Sequence, residues 1–161
     1  MERAHVALGS NLSDPLRQIH HALDALDRIA RTHLLRHSSV YRTAPWGIAE
    51  QPVFLNAVAE LETALSPHGL LDALLAIERA QGRSRAGPRW GPRTLDLDLL
   101  TFGDMQMAQA DLHVPHPRIA QRAFVLVPLA ELDAGLMIPG LGKVSDLLAR
   151  VDISGCVRVT F

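Results

Sequence analysis

Two aspartates stand two positions apart in TLDLDLLTF, at Asp96 and Asp98. Side chains in an extended chain alternate between faces, so the two carboxylates share a face, with Cα atoms roughly 6.5–7 Å apart. Leu95, Leu97 and Leu99 then point the other way. Carboxylates this close raise one another's pKa unless a cation lies between them. Mg2+ is such a cation: it prefers oxygen ligands and takes one or two carboxylates together with substrate phosphates. A strand with a solvated outer face gives the same D-x-D pattern, but the flanking leucines speak for a strand that is mostly buried.

Just upstream, Arg79, Arg83, Arg85, Arg89 and Arg93 fall within fifteen residues. Gly82, Gly87, Gly91, Pro88 and Pro92 make most of that segment a loop able to approach a ligand. Guanidinium groups are permanently charged and bind phosphate oxygens in pairs, and Trp90 offers a stacking surface for a flat ring. Alone, such a loop reads equally as a solvated or an RNA-contacting basic segment. Leading into a carboxylate pair, it supplies both signs of charge that a polyphosphate with Mg2+ requires. There is no G-x-x-x-x-G-K-[ST], and Lys143 is the only lysine, so phosphates would be held by arginine and metal rather than by a P-loop.

HVPHPR brings His113, His116 and Arg118 together, followed by Arg122 and Phe124. Zinc would need a third nitrogen ligand that the segment lacks; an imidazole donating to a phosphate fits better. Around Thr43, Pro45, Trp46, Phe54 and Asn56, aromatic rings stand beside an amide. That suits a flat heterocycle with hydrogen-bonding edges, and ordinary core residues at a strand end fit the same spacing.

The elements that carry these groups follow from periodicity. HVALGS reads as a short buried strand ended by Gly9. Asn11, Ser13 or Asp14 caps a helix with Pro15 in its first turn, and Leu16, Ile19, His20, Leu23, Leu26 and Ile29 recur at helical spacing. HLLRHSSVYRTAP reads as one strand running to Pro45, and VFLNAVAELET as another, with Phe54, Asn56, Val58 and Glu60 on one side. SPHGLLDALLAIERAQGR is an amphipathic helix, capped by Ser66 and ended by Gly82. The aspartate strand ends near Phe102, and short helices plus a closing strand CVRVTF follow. The order β-α-β-β-α-β with C-terminal additions points to the α+β class: a ferredoxin-like sandwich, a mostly antiparallel sheet with helices packed on one face.

The bulk numbers set bounds. A chain of 161 residues, 48% hydrophobic and 20% charged, suits a single domain over 1–161 with its own core. A net charge of −1 gives no global basic field for nucleic acid. Arginine outnumbers lysine fifteen to one, a bias that a GC-rich genome also produces. Cys156 is the only cysteine, which rules out an intrachain disulfide and a cysteine zinc site and suits a reducing, cytoplasmic setting. MERAHVALGSNL lacks the apolar core of a signal peptide. No apolar run approaches the roughly 20 residues that span a bilayer.

ALGSNL, SSVYRTAPWG, QPVFLNAVAELET, IERAQGR, RWGPRTLDLDLL and VPHPRIAQRAFVLVPL occur in this order up to about residue 132. In this combination the chain resembles the 6-hydroxymethyl-7,8-dihydropterin pyrophosphokinases of folate synthesis. The resemblance implies transfer of pyrophosphate from ATP to the pterin hydroxymethyl group, with Asp96 and Asp98 holding two Mg2+ ions. It makes Arg83 and Arg93 the catalytic arginines of a closing loop that also carries Arg85 and Trp90. It places His116 and Arg122 on ATP, and Glu78 near the nucleotide. It assigns Thr43, Pro45, Trp46, Phe54, Asn56 and Phe124 to the pterin pocket, with Phe54 and Phe124 sandwiching the ring and Asn56 reading its edge. Asp111, Leu75 and Trp46 depart from residues common in the family and bear on ATP affinity and pocket shape. The expected partners are the two substrates, with no nucleic acid, no membrane and a monomeric state. The competing readings are a ferredoxin-like RNA-binding module and a Mg2+-dependent phosphohydrolase using Asp96, Asp98 and His116.

Overall fold

A polar cap and a proline open both long helices. Asp14 adopts a left-handed conformation (φ 61°) and its carboxylate accepts the Arg17 N–H, with Pro15 beginning α1 (Pro15–Asp27). The Ser66 hydroxyl accepts the Gly69 N–H, with Pro67 beginning α2 (Pro67–Ala80). The computed structural model describes residues 1–11, 14–43, 54–81 and 95–159. Around these helices run β1 (Glu2–Ser10), β2 (Thr32–His37), β3 (Tyr41–Thr43), β4 (Phe54–Thr63) and β5 (Asp96–Phe102). Beyond them come β6 (Met107–Ala108), β7 (His113–Val114), a 3-10 turn at Ile119–Gln121, α3 (Ala123–Asp133), β8 (Met137–Ile138), β9 (Gly142–Lys143), α4 (Val144–Leu148) and β10 (Cys156–Arg158).

The main sheet has the order β10-β3-β4-β1-β5, with β2 also paired to β4, and every pair is antiparallel. This is the expected β-α-β-β-α-β sandwich with one strand divided. The expected single strand to Pro45 is two. His37 pairs with Ala59 and Tyr41 with Asn56, so this side holds one extra residue and bulges. Ser38 occupies the break: its hydroxyl accepts the Val58 N–H and donates to the Ser39 carbonyl. Nor does β1 end at Gly9, which pairs within the strand.

Period two sorts the sheet into faces. Ala4, Val6 and Leu8 of β1, Leu55, Ala57, Ala59 and Leu61 of β4, and Leu97 and Leu99 of β5 form one core with Leu95, α1 and α2. Each buried leucine or isoleucine there contributes about 1.5–3 kcal/mol. Helices on one face alone were expected; the structure covers both. Val58 and Leu100 face a second core made by Ile119, Val125, Leu126, Leu129, Ile138, Val144 and Leu147, from the C-terminal part of the chain. A bulge between His5 and Val6 in the β1–β5 register lets Leu100 and Thr101 both turn toward this second face. There the His5 ring bonds Thr101 Oγ1 at 2.7 Å and Glu60 Oε2 at 3.0 Å.

Candidate active site

The second face carries the candidate chemistry where β1 ends and β4 and β5 begin. Registers define one row across four strands: Asp96 opposite Gly9, Gly9 opposite Asn56, Asn56 opposite Tyr41. Asp98 lies beside Ala7 in the next row on the same face. With strands about 4.7–4.9 Å apart, the aspartate strand stands roughly 10 Å from Asn56 across a floor of glycine. Asp96 and Asp98 are half-buried between buried leucines, as the period-two reading requires.

Two elements hold β5 on its outer rim. Glu78 of α2 is buried, and its Oε2 accepts the N–H of Leu97, the residue between the aspartates, at 2.8 Å. The N–H of His116 donates to the Leu100 carbonyl at 2.8 Å. His116 follows a cis Val114–Pro115 bond, and its Nδ1 accepts the Arg118 N–H at 3.2 Å, which places the proton of the neutral ring on Nε2. Burial lowers the His116 pKa; Asp98 opposes this, and Arg122, Arg118 and His113 add to it. Those interactions place Asp98 and Arg122 each within electrostatic reach of His116. His113 Nδ1 instead meets the Pro115 carbonyl, so the two histidines do not form a metal pair through these nitrogens.

Arg122 and Phe124 open α3, with the guanidinium 5.5 Å from the ring centroid, in cation–π range. Across the floor, the Asn56 amide donates to Thr43 Oγ1 at 2.8 Å, and Phe54 pairs with Thr43 in register. Asn56 and Thr43 are buried, while Phe54 and Phe124 are half-buried. Asp96, Asp98, His116, Arg122, Phe124, Asn56, Thr43 and Phe54 thus occupy one region, and Glu78 reaches it from behind the strand. Arg83, Arg85, Trp90, Arg93, Pro45 and Trp46 lie outside the described residues. Of the departures, Asp111 meets His68 at 3.3 Å on the surface, and Leu75 is exposed on α2.

Gly9, Tyr41 and Asn11 belong to this region although spacing does not single them out. A Cβ on Gly9 would meet Asn56 Oδ1 at 3.1 Å. Asn11, just past the end of β1, is buried, and its Oδ1 has no hydrogen-bond partner among the described residues. Cross-strand neighbours place Gly9 and Tyr41, whereas the segments ALGSNL and SSVYRTAPWG, which contain the three residues, carry the resemblance without assigning them roles.

A family model described as 7,8-dihydro-6-hydroxymethylpterin-pyrophosphokinase (HPPK) matches residues 5–134. The 2-amino-4-hydroxy-6-hydroxymethyldihydropteridine pyrophosphokinase of Pseudomonas aeruginosa is 49% identical over 159 residues, covering 99% of this chain and 98% of its own. The Haemophilus influenzae enzyme of the same name is 45% identical over 150 residues, 93% of each chain. Among solved structures, Plasmodium falciparum HPPK-DHPS wild type superposes with a TM-score of 0.78 at 13% identity, over 99% of this chain and 48% of that one. The chain therefore spans about half the length of that structural neighbour, and the likeness concerns the fold.

Proposed function

This chain belongs to the 7,8-dihydro-6-hydroxymethylpterin-pyrophosphokinase family, and from that membership we propose how its residues divide the work. The reaction is pyrophosphoryl transfer from ATP to hydroxymethyldihydropterin in folate synthesis. ATP giving up pyrophosphate leaves AMP.

Asp96 and Asp98 are the metal-holding residues of this reading. Two half-buried carboxylates share a strand face and supply only oxygen donors. That donor set fits Mg2+, which leaves coordination positions to phosphate oxygens; we expect two ions. Bound there, Mg2+ would neutralise phosphate charge and orient the chain of phosphates. Arg122 and the Nε2–H of His116 face the same anions from the α3 side, and Glu78 holds the strand beneath them. Arg83 and Arg93 stabilise the shifting charge, assisted by Arg85 and Trp90.

Phe54 and Phe124 hold the pterin ring, Thr43, Pro45 and Trp46 line its pocket, and Asn56 reads its edge. The Asn56–Thr43 bond orients the amide before substrate arrives, which lowers the ordering cost of binding. The Oδ1 of Asn11, without a partner among the described residues, offers a further acceptor at the end of β1. No described side chain is placed as a general base, so positioning and charge stabilisation carry the rate.

The observation that carries this reading is the register that sets the carboxylate strand and Asn56 on either side of Gly9. Family membership favours transfer over the RNA-binding and phosphohydrolase readings. The reading extends to one domain over 1–161, a monomer in the cytoplasm without nucleic-acid or membrane partners. Incubation with ATP, Mg2+ and hydroxymethyldihydropterin should release AMP in step with pterin consumed; ADP release, or ATP hydrolysis indifferent to pterin, would refute it.

A further inference from the structure

Three hydrogen bonds converge on the carboxylate of Glu131, in the last turns of α3. The Tyr41 hydroxyl donates to Oε1, while the Ser39 N–H and hydroxyl donate to Oε2 at 2.8 and 3.1 Å. Burial pushes the Tyr41 pKa up to about 12, reinforced by Glu131, so the phenol remains the donor at any working pH. Burial would raise Glu131, but the bonds from Tyr41 and Ser39 outweigh it and hold the carboxyl below its usual value.

The two ends of this contact lead to opposite walls of the pterin pocket. Tyr41 pairs with Asn56 and lies two positions from Thr43, the partner of the Asn56 amide. Glu131 follows Phe124 by seven residues, two helical turns or roughly 10.5 Å along the same face of α3. The turn that presents Phe124 lacks two of the usual helix ties, while the Val125 and Leu126 N–H groups both bond the Arg122 carbonyl at 3.0 Å. Arg122 supplies no side-chain cap, and Pro128 lacks the N–H that would bond the Phe124 carbonyl. Its place depends on the burial of Val125 and Leu126 in the second core and on where the far end of α3 is fastened.

We propose that Glu131 and Tyr41 form a positioning strut that fixes the distance between Phe124 on α3 and Asn56 with Thr43 on the sheet, and so tunes the pterin pocket. The strut rests on the assignment of that pocket. Neither residue is assigned to a substrate, and of the ATP side only Arg122 rides on α3, the rest being fixed by β5, Glu78 and the His116 segment.

The test is steady-state kinetics of AMP release with each substrate varied, alongside thermal melts, for Tyr41→Phe, Glu131→Gln, Glu131→Ala, the Tyr41→Phe/Glu131→Ala pair and Phe124→Ala. Tyr41→Phe and Glu131→Ala should each raise the pterin KM roughly three- to ten-fold, the worth of a lost hydrogen bond, with the ATP KM, which depends on α3 only through Arg122, raised less. Glu131→Gln keeps an acceptor and should fall between, and the double variant should be no worse than Glu131→Ala alone. A lower melting temperature with both KM values unchanged, or with both raised alike, overturns the strut. If Phe124→Ala also leaves the pterin KM unchanged, the pocket assignment falls with it; if Phe124→Ala raises that KM while the strut variants do not, only the strut falls.

Discussion

A methyl group on Gly9 would stand 3.1 Å from the Oδ1 of Asn56, closer than ordinary contact. Gly9→Ala should therefore push the amide off its bond to Thr43 and raise the pterin KM up to roughly ten-fold, with the ATP KM little changed, in the same AMP-release assay. The aspartates behave oppositely. Asp96→Ala and Asp98→Ala should each lower turnover roughly 100-fold or more, and Asp98→Ala, which removes one of two like charges, should leave the melting temperature the same or higher. Unfolding of either variant would make the pair structural. Residues at this scale divide by how they can be read. Asp96 and Asp98 share a face by arithmetic within one strand. The meaning of Gly9 depends on Asn56, 47 positions later, and no local pattern carries that.

Among the elements, α2 does more than cover the sheet, because Glu78 reaches through to the Leu97 N–H. Glu78→Ala strands that N–H away from a partner, at a cost of about 1–3 kcal/mol. The melting temperature should drop and the Mg2+ concentration for half-maximal activity should rise, whereas Glu78→Gln keeps an acceptor and should show much smaller changes. Equal behaviour of the two variants would argue against this bond. Caps and amphipathic stripes made α1 and α2 legible in advance: Asp14, Pro15, Ser66 and Pro67 stand where expected. The break between β2 and β3 was not, because it depends on the Ser38 hydroxyl taking a hydrogen bond from β4. The second layer was hidden for another reason. AFVLVPLA in α3 is apolar on all sides, so no stripe announces which face it covers.

For the molecule as a whole, the sheet has a reactive end and a structural end, and pH acts on both, through His116 at the first and His5 and Glu60 at the second. Burial lowers the His5 pKa below its ordinary 6.5, outweighing the Glu60 carboxylate that opposes it; Asp133 and Arg36 add smaller opposed effects. Burial would raise Glu60, but the bonds from Arg36 and His5 outweigh it and hold the carboxyl below its ordinary 4.5. In both cases the unfolded chain takes up protons first. The His5 contribution is whole above pH 6.5 and fades as pH falls below it; the Glu60 contribution is whole above 4.5 and fades further down. Melting temperatures followed from neutral to acid pH should fall in these two stages. His5→Gln should shrink the first stage without abolishing it, since His116 is shifted the same way. An unchanged first stage would remove His5 from the account. Among the described residues no helix is long and apolar enough to cross a membrane. The rim of β5 has one more consequence. β5 is the last strand on its side of the sheet, and a bare strand edge is a template on which another chain can pair and aggregate. Here the Leu97 N–H is taken by Glu78 and the Leu100 carbonyl by the His116 N–H, while the opposite edge is divided between β2 and the three-residue β10. The two bonds that steady the aspartates also deny that edge to other chains, so a variant that frees it should lose solubility along with activity.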